Sequence, residues 1–180
     1  MEINWLILEE EVKRLRECEL MVFNKAGIIE GQFEIVFEKI RVGYVHKDIP
    51  FGNELILLWF KILNKAVIEL NHNRYAIFIV PDTPYWLEMD MRDDKILITT
   101  LESKVENINF LVTGEKRIDL FNKIGIVDIV EKDKFINLVR IRSKGLINFI
   151  CHINGRLKNS IGINELSELI DEASYIGYSQ

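Results

Sequence analysis

The residues of this chain able to do chemistry are few and scattered. Glu88 and Asp90 stand two apart in the alternating segment Pro84–Met91, so both carboxylates share one face of a strand, as a general acid/base pair requires. Trp86 lies on the same face. Plain alternation of apolar and solvent-facing positions accounts for the pair equally well, so neither carboxylate is assigned a catalytic role. Asp90, Asp93 and Asp94 resemble an oxygen-rich metal loop, but Met91-Arg92 interrupts them, no glycine follows and Lys95 would sit in the site. A solvated hairpin tip is expected there, and no metal ligand is assigned. His46, His72 and His152 fall in separate elements. Cys151-His152 looks like a thiol beside its base, but neighbours on a helix point about 100° apart and neither orients the other. Cys18 and Cys151 match no metal or redox spacing and sit among apolar residues, so both are expected to be reduced, buried and unbridged. Dinucleotide and phosphate-binding loops, the zinc-protease helix motif, the nucleophile elbow and the paired-cysteine redox motif are all missing, and no cofactor is expected.

Two residues break the bland pattern instead. Trp86 occupies the polar side of its strand, and Arg142 falls in the apolar register of a C-terminal helix, between Val139 and Leu146. Exposed tryptophan and arginine are the residue types that anchor interfaces, so Trp86, Glu88, Asp90 and Arg142 form the candidate binding set, with another protein as the partner.

The elements that must position them follow from periodicity. Trp5 to Leu20 reads as a helix with Glu9/Lys13 and Glu10/Arg14 one turn apart. From Gln32 the period becomes two, with Phe33, Ile35 and Phe37 and then Ile40, Val42 and Tyr44, which predicts two strands joined near Glu38-Lys39 or one bulged strand. Asn53 is the expected cap of a helix over Glu54–Leu70, apolar around most of its girth and therefore buried on more than one side. Strands are predicted at Tyr75–Val80, Pro84–Met91, Lys95–Thr100, Asn107–Val112 and Ile124–Val130, with Asp93-Asp94 as a turn. From Asp133 onward Phe135, Leu138, Val139, Leu146, Phe149, Ile150 and Ile153 follow one helical face, and a last helix runs from an Asn164 cap to Gly177. Strands first and helices last predict an α+β fold: an antiparallel sheet with a buried helix on one face and a C-terminal helical pair. All 180 residues are expected to form one domain, with the sheet and its inserted helix in about 1–130 and the helices in about 131–180.

Charge narrows the function classes. With 23 Lys+Arg against 28 Asp+Glu the net charge is −5, which disfavours non-specific binding to phosphate backbones. The charge is uneven. Lys132 to Lys158 holds seven cations against Asp133 alone, net +6, which leaves −11 on the remainder. The simpler expectation is that this basic segment packs beside acidic ones inside the fold. A 48% hydrophobic composition excludes a disordered chain. The N-terminus lacks a signal-peptide n-region and no apolar run approaches a membrane span, so a cytoplasmic protein is expected. Abundant isoleucine, lysine and asparagine with only four alanines suggest an AT-rich bacterial source. The leading expectation is a small bacterial protein that binds and neutralises another, in the manner of immunity or antitoxin proteins. Its acidic balance suits a basic partner. The alternatives are a small hydrolase whose site, from Glu88, Asp90 or a histidine, is assembled only in the fold, and a nucleic-acid module using Lys132–Lys158.

Overall fold

The computed structural model describes residues 1–125 and 127–175. Its first element is a strand, β1 (Glu2–Leu6), followed by helices α1 (Glu9–Glu17) and α2 (Leu20–Ala26). The expected helix from Trp5 to Leu20 therefore starts later. Ile3 and Trp5 alternate in register with Ile35 and Phe33 of strand β2 (Glu30–Val36), and Ile3 is fully buried there. Pairing with a ready-made strand overrides the local helical pattern. The Glu9–Lys13 ion pair forms at 2.9 Å, whereas Arg14 pairs with Glu11 rather than Glu10.

Strand β3 (Arg41–Tyr44) returns antiparallel to β2, as the shift of register near Glu38-Lys39 implied. The two-residue strand β4 (Glu54–Leu55) pairs with Glu30–Gly31 and completes the first sheet. That pairing corrects the role of Asn53. Helix α3 (Ile56–Asn73) begins only after Leu55, and Asn53 does not cap it. As expected of a helix apolar on most sides, α3 is enclosed. Trp59 stacks on Phe33 with ring centroids 4.6 Å apart, and Ala66, Val67 and Leu70 are buried with it.

The second sheet is a meander of β5 (Tyr75–Ile79), β6 (Tyr85–Arg92), β7 (Lys95–Ser103), β8 (Val112–Thr113), β9 (Phe121–Lys123) and β10 (Asp128–Glu131). Its order is β10-β7-β6-β5-β8, with β9 also beside β7 and every pairing antiparallel. The turn at Asp93-Asp94 is present, with Asp93 at φ 54°. The expected strand Ile124–Val130 shortens to Asp128–Glu131, and Asn107–Val112 gives way to Val112–Thr113 because residues 104–120 mostly serve another purpose. Ile108, Phe110 and Leu120 fold over the sheet's outer face and pack on Trp86 and Phe121. The inner face, with Phe78, Leu87, Met89, Ile96 and Ile98, joins the main core around α3.

Helices α4 (Lys132–Ile153) and α5 (Ile161–Tyr175) form the C-terminal pair and close that core over α3. Ser160, rather than Asn164, stands before α5: its hydroxyl accepts from the Ile163 amide at 3.4 Å. The expected end at Gly177 lies outside the described residues. The architecture is α+β, with antiparallel sheets, a buried helix and a C-terminal helical pair. One carboxylate ties the sheets together. Asp128 Oδ2 accepts from the amides of Lys39 and Ile40 at 2.6 and 3.2 Å, so the β2–β3 turn is fastened to β10.

Candidate functional site

The structure keeps Trp86, Glu88 and Asp90 on one sheet face, as alternation requires, but that face is largely roofed. Trp86 is 3% exposed, with its ring against Phe110 and Phe121 at 5.4 and 5.2 Å. The expectation of a water-facing anchor is overturned, because the 104–120 segment supplies an apolar cover that alternation within β6 cannot reveal. Glu88 is buried beneath the same cover. It accepts from the Tyr75 hydroxyl at 2.7 Å and pairs with Lys123 at 2.7 Å. Burial, and then the Glu88 carboxylate, hold Tyr75 protonated far above the usual tyrosine range. Lys116 sits over the Tyr75 ring at 5.2 Å. Asp90 is only partly exposed and is bonded by Arg92 at 3.2 Å. Each carboxylate of the pair thus has a cationic neighbour, Lys123 for Glu88 and Arg92 for Asp90.

Arg142 is corrected as well. It is exposed, and Ser143 takes the inward position between Val139 and Leu146. There the Ser143 hydroxyl donates to the Val139 carbonyl and accepts from Asn64, both at 2.8 Å. Arg142 belongs to the helical layer against the inner face of the second sheet, so the fold does not unite it with Trp86 and Glu88. His46 lies in a loop, His72 on the last turn of α3 and His152 on the exposed side of α4. Among the described residues, no three His, Cys, Asp or Glu side chains group as metal ligands would. Cys18 is buried and unbridged. Cys151 is also unbridged but only half-buried, against expectation, and desolvation raises its thiol pKa. No described helix is long and apolar enough to cross a membrane. The basic segment 132–158 packs beside the acidic helix α5. Among the described residues, none of its seven cations forms an ion pair with a carboxylate.

A surface absent from the sequence reading has the better geometry. Between the β1–α1 turn and the 47–53 loop lies an open groove of about 780 Å³. Leu6, Ile7 and Leu8 form one apolar wall, and Ile49, Pro50 and Phe51 form the other. Glu9, Glu10 and Glu30 line it with Lys47, while Glu11 is consumed internally: Arg14 clasps both its oxygens at 2.6 Å, and it accepts from the Glu30 amide at 3.0 Å. Lys13 keeps the Glu9 carboxyl below its ordinary pKa but offsets its charge as an ion pair, which leaves Glu10 and Glu30 as the rim carboxylates without a cationic partner among the described residues.

Phe51 is 62% exposed, yet its loop is held from below. The fully buried Gln32 donates from Nε2 to the carbonyls of Ile49 and Phe51, both at 2.9 Å, and its Oε1 accepts from the His46 amide at 2.8 Å. Two glycines let the backbones approach. A Cβ on Gly52 would collide with the Gly31 carbonyl, and a Cβ on Gly31 with the Leu6 carbonyl. One signal for this site was legible: a phenylalanine between Pro50 and Gly52 cannot join a strand face and must find another use. Gln32, hidden at the start of an alternating strand, gave none. Comparison with family models, with curated proteins and with solved structures gives no match for this chain.

Proposed function

We propose that this protein works by binding another protein, and that the groove beside Phe51 is where the partner docks. The carrying observation is the exposed Phe51 ring on a loop fixed by a buried glutamine. Surface loops ordinarily lose entropy when a partner orders them, and a loop already fastened at three hydrogen bonds loses less. An aromatic side chain seated in a partner's pocket is a typical interface hot spot. With Glu9 paired to Lys13 and Glu11 to Arg14, Glu10 and Glu30 outnumber Lys47 on the rim, which favours a basic partner and electrostatic steering of its approach. Neutralising a basic toxin, as immunity proteins do, is the concrete version of this reading in a small cytoplasmic bacterial protein.

The test is affinity capture with the native protein, identification of the partner, and measurement of its binding to variants. Phe51→Ala should weaken binding about thirtyfold or more, while its melting transition stays close to the native one. Glu9→Lys with Glu10→Lys should slow association and flatten its salt dependence. A partner that binds Phe51→Ala and the double variant with unchanged affinity refutes the groove. Substrate turnover lost in Glu88→Gln would replace the binding reading with the hydrolase.

A further inference from the structure

The helical layer carries two uncancelled charge stripes of opposite sign. Helix α4 has 22 residues and α5 has 15, joined through residues 154–160 and packed side by side. Asn137 and Arg140 of α4 line a furrow with Ala173 and Ser174 of α5, so the helices run antiparallel. On the outer side α4 presents Lys134, Arg140 and Lys144, the middle one half-exposed. The outer side of α5 presents Glu168, Asp171 and Glu172. None of these six takes part in an ion pair among the described residues, although the stripes are neighbours. Near the centre of the cationic stripe Ile141 is 61% exposed.

We infer that this face docks a second copy of the same chain, with α4 of each copy lying across α5 of the other. Adjacent stripes of opposite sign are self-complementary under a two-fold axis that lies in the interface parallel to the helices, because one rotation brings both cationic stripes onto acidic ones. The charge arrangement favours a second copy over a nucleic acid. A phosphate backbone would meet the acidic α5 stripe directly. The shared length of the two helices is about 22 Å and their joint width about 20 Å, which places the contact at the small end of interfaces. The dimer is therefore weak and dependent on charge. It leaves the Phe51 groove on another part of the surface, so it stands independently of the proposed function.

Sedimentation equilibrium of the full chain tests this. The native protein should dimerise at about 0.02 M salt, and the dimer should weaken tenfold or more at about 0.5 M. Arg140→Glu with Lys144→Glu should be monomeric at low salt, as should Glu168→Lys with Asp171→Lys, each with a near-native thermal transition. Mixing the two variants should restore a dimer, because each then presents the stripe its partner lacks. A native protein that is monomeric at low salt, or a dimer unmoved by salt and by both variants, overturns the inference. So does a native monomer that binds a single-stranded RNA through the α4 cations.

Discussion

A buried glutamine is demanding, because each of its polar atoms must find a partner or cost free energy. Gln32 meets that demand by fastening one loop at three backbone groups, so its removal would strand the His46 amide and the Ile49 carbonyl and leave the Phe51 carbonyl only the Tyr44 hydroxyl at 3.4 Å. Gln32→Ala should cost about 2–4 kcal/mol in denaturant melts and speed hydrogen exchange at the His46 amide. It should also weaken partner binding with Phe51 itself intact. Unchanged exchange at His46 would show that the loop is held by something else. Trp86 carries the opposite lesson. Its strand phase was legible, since Leu87, Met89 and Met91 do face the main core, but its environment was not, because the cover comes from residues 104–120. Trp86→Ala should therefore cost about 3–5 kcal/mol, close to the loss for Trp59→Ala, as two large side chains removed from packed surroundings. A clearly smaller loss at Trp86 would mean that the 104–120 cover opens readily in solution.

Among the elements, legibility tracked how much of the answer was local. Helix α3 could be read because apolar residues around its girth demand enclosure whatever encloses it, and the β5–β6–β7 meander because alternation and the Asp93-Asp94 turn act within a few residues. Strand β1 and the start of α3 were misread because each is decided by pairing with β2, a partner distant in sequence. The fastening of the two sheets by Asp128 was invisible for the same reason: its acceptors' partners, Lys39 and Ile40, lie almost ninety residues away. Asp128→Ala should cost about 2–3 kcal/mol, since it leaves two amides beside the core without an acceptor. Hydrogen exchange should quicken at Lys39 and Ile40 while the β6–β7 pairing keeps its protection. Equal loosening of both regions would show that the sheets unfold as one unit and that Asp128 is no separate link.

At the scale of the molecule, the second sheet is covered by the main core on one face and by the 104–120 segment over part of the other, so an ionisable pair, Tyr75 and Glu88, is sealed between strands and cover. This predicts how stability changes in alkali. Tyr75 has its pKa raised by burial first and by Glu88 second. In the window above the ordinary tyrosine value of about 10, the unfolded chain has released this proton while the native chain keeps it. The native state then binds more protons than the unfolded state, so unfolding free energy falls as pH rises. The contribution is fully present below that window and is lost through it. Cys151, raised by desolvation, acts with the same sign but from about the ordinary thiol range upward, so its effect sets in at lower pH. Denaturant midpoints measured from neutral to strongly alkaline pH should fall in the native protein, and Tyr75→Phe should flatten the upper part of the curve while Cys151→Ala flattens only the lower part. Ultraviolet absorbance, compared between the native protein and Tyr75→Phe, should show Tyr75 refusing to ionise until the chain unfolds. If Tyr75 ionises in the folded protein, or if Tyr75→Phe keeps the native slope, the cover over Glu88 admits water and the outer face of the sheet is not sealed.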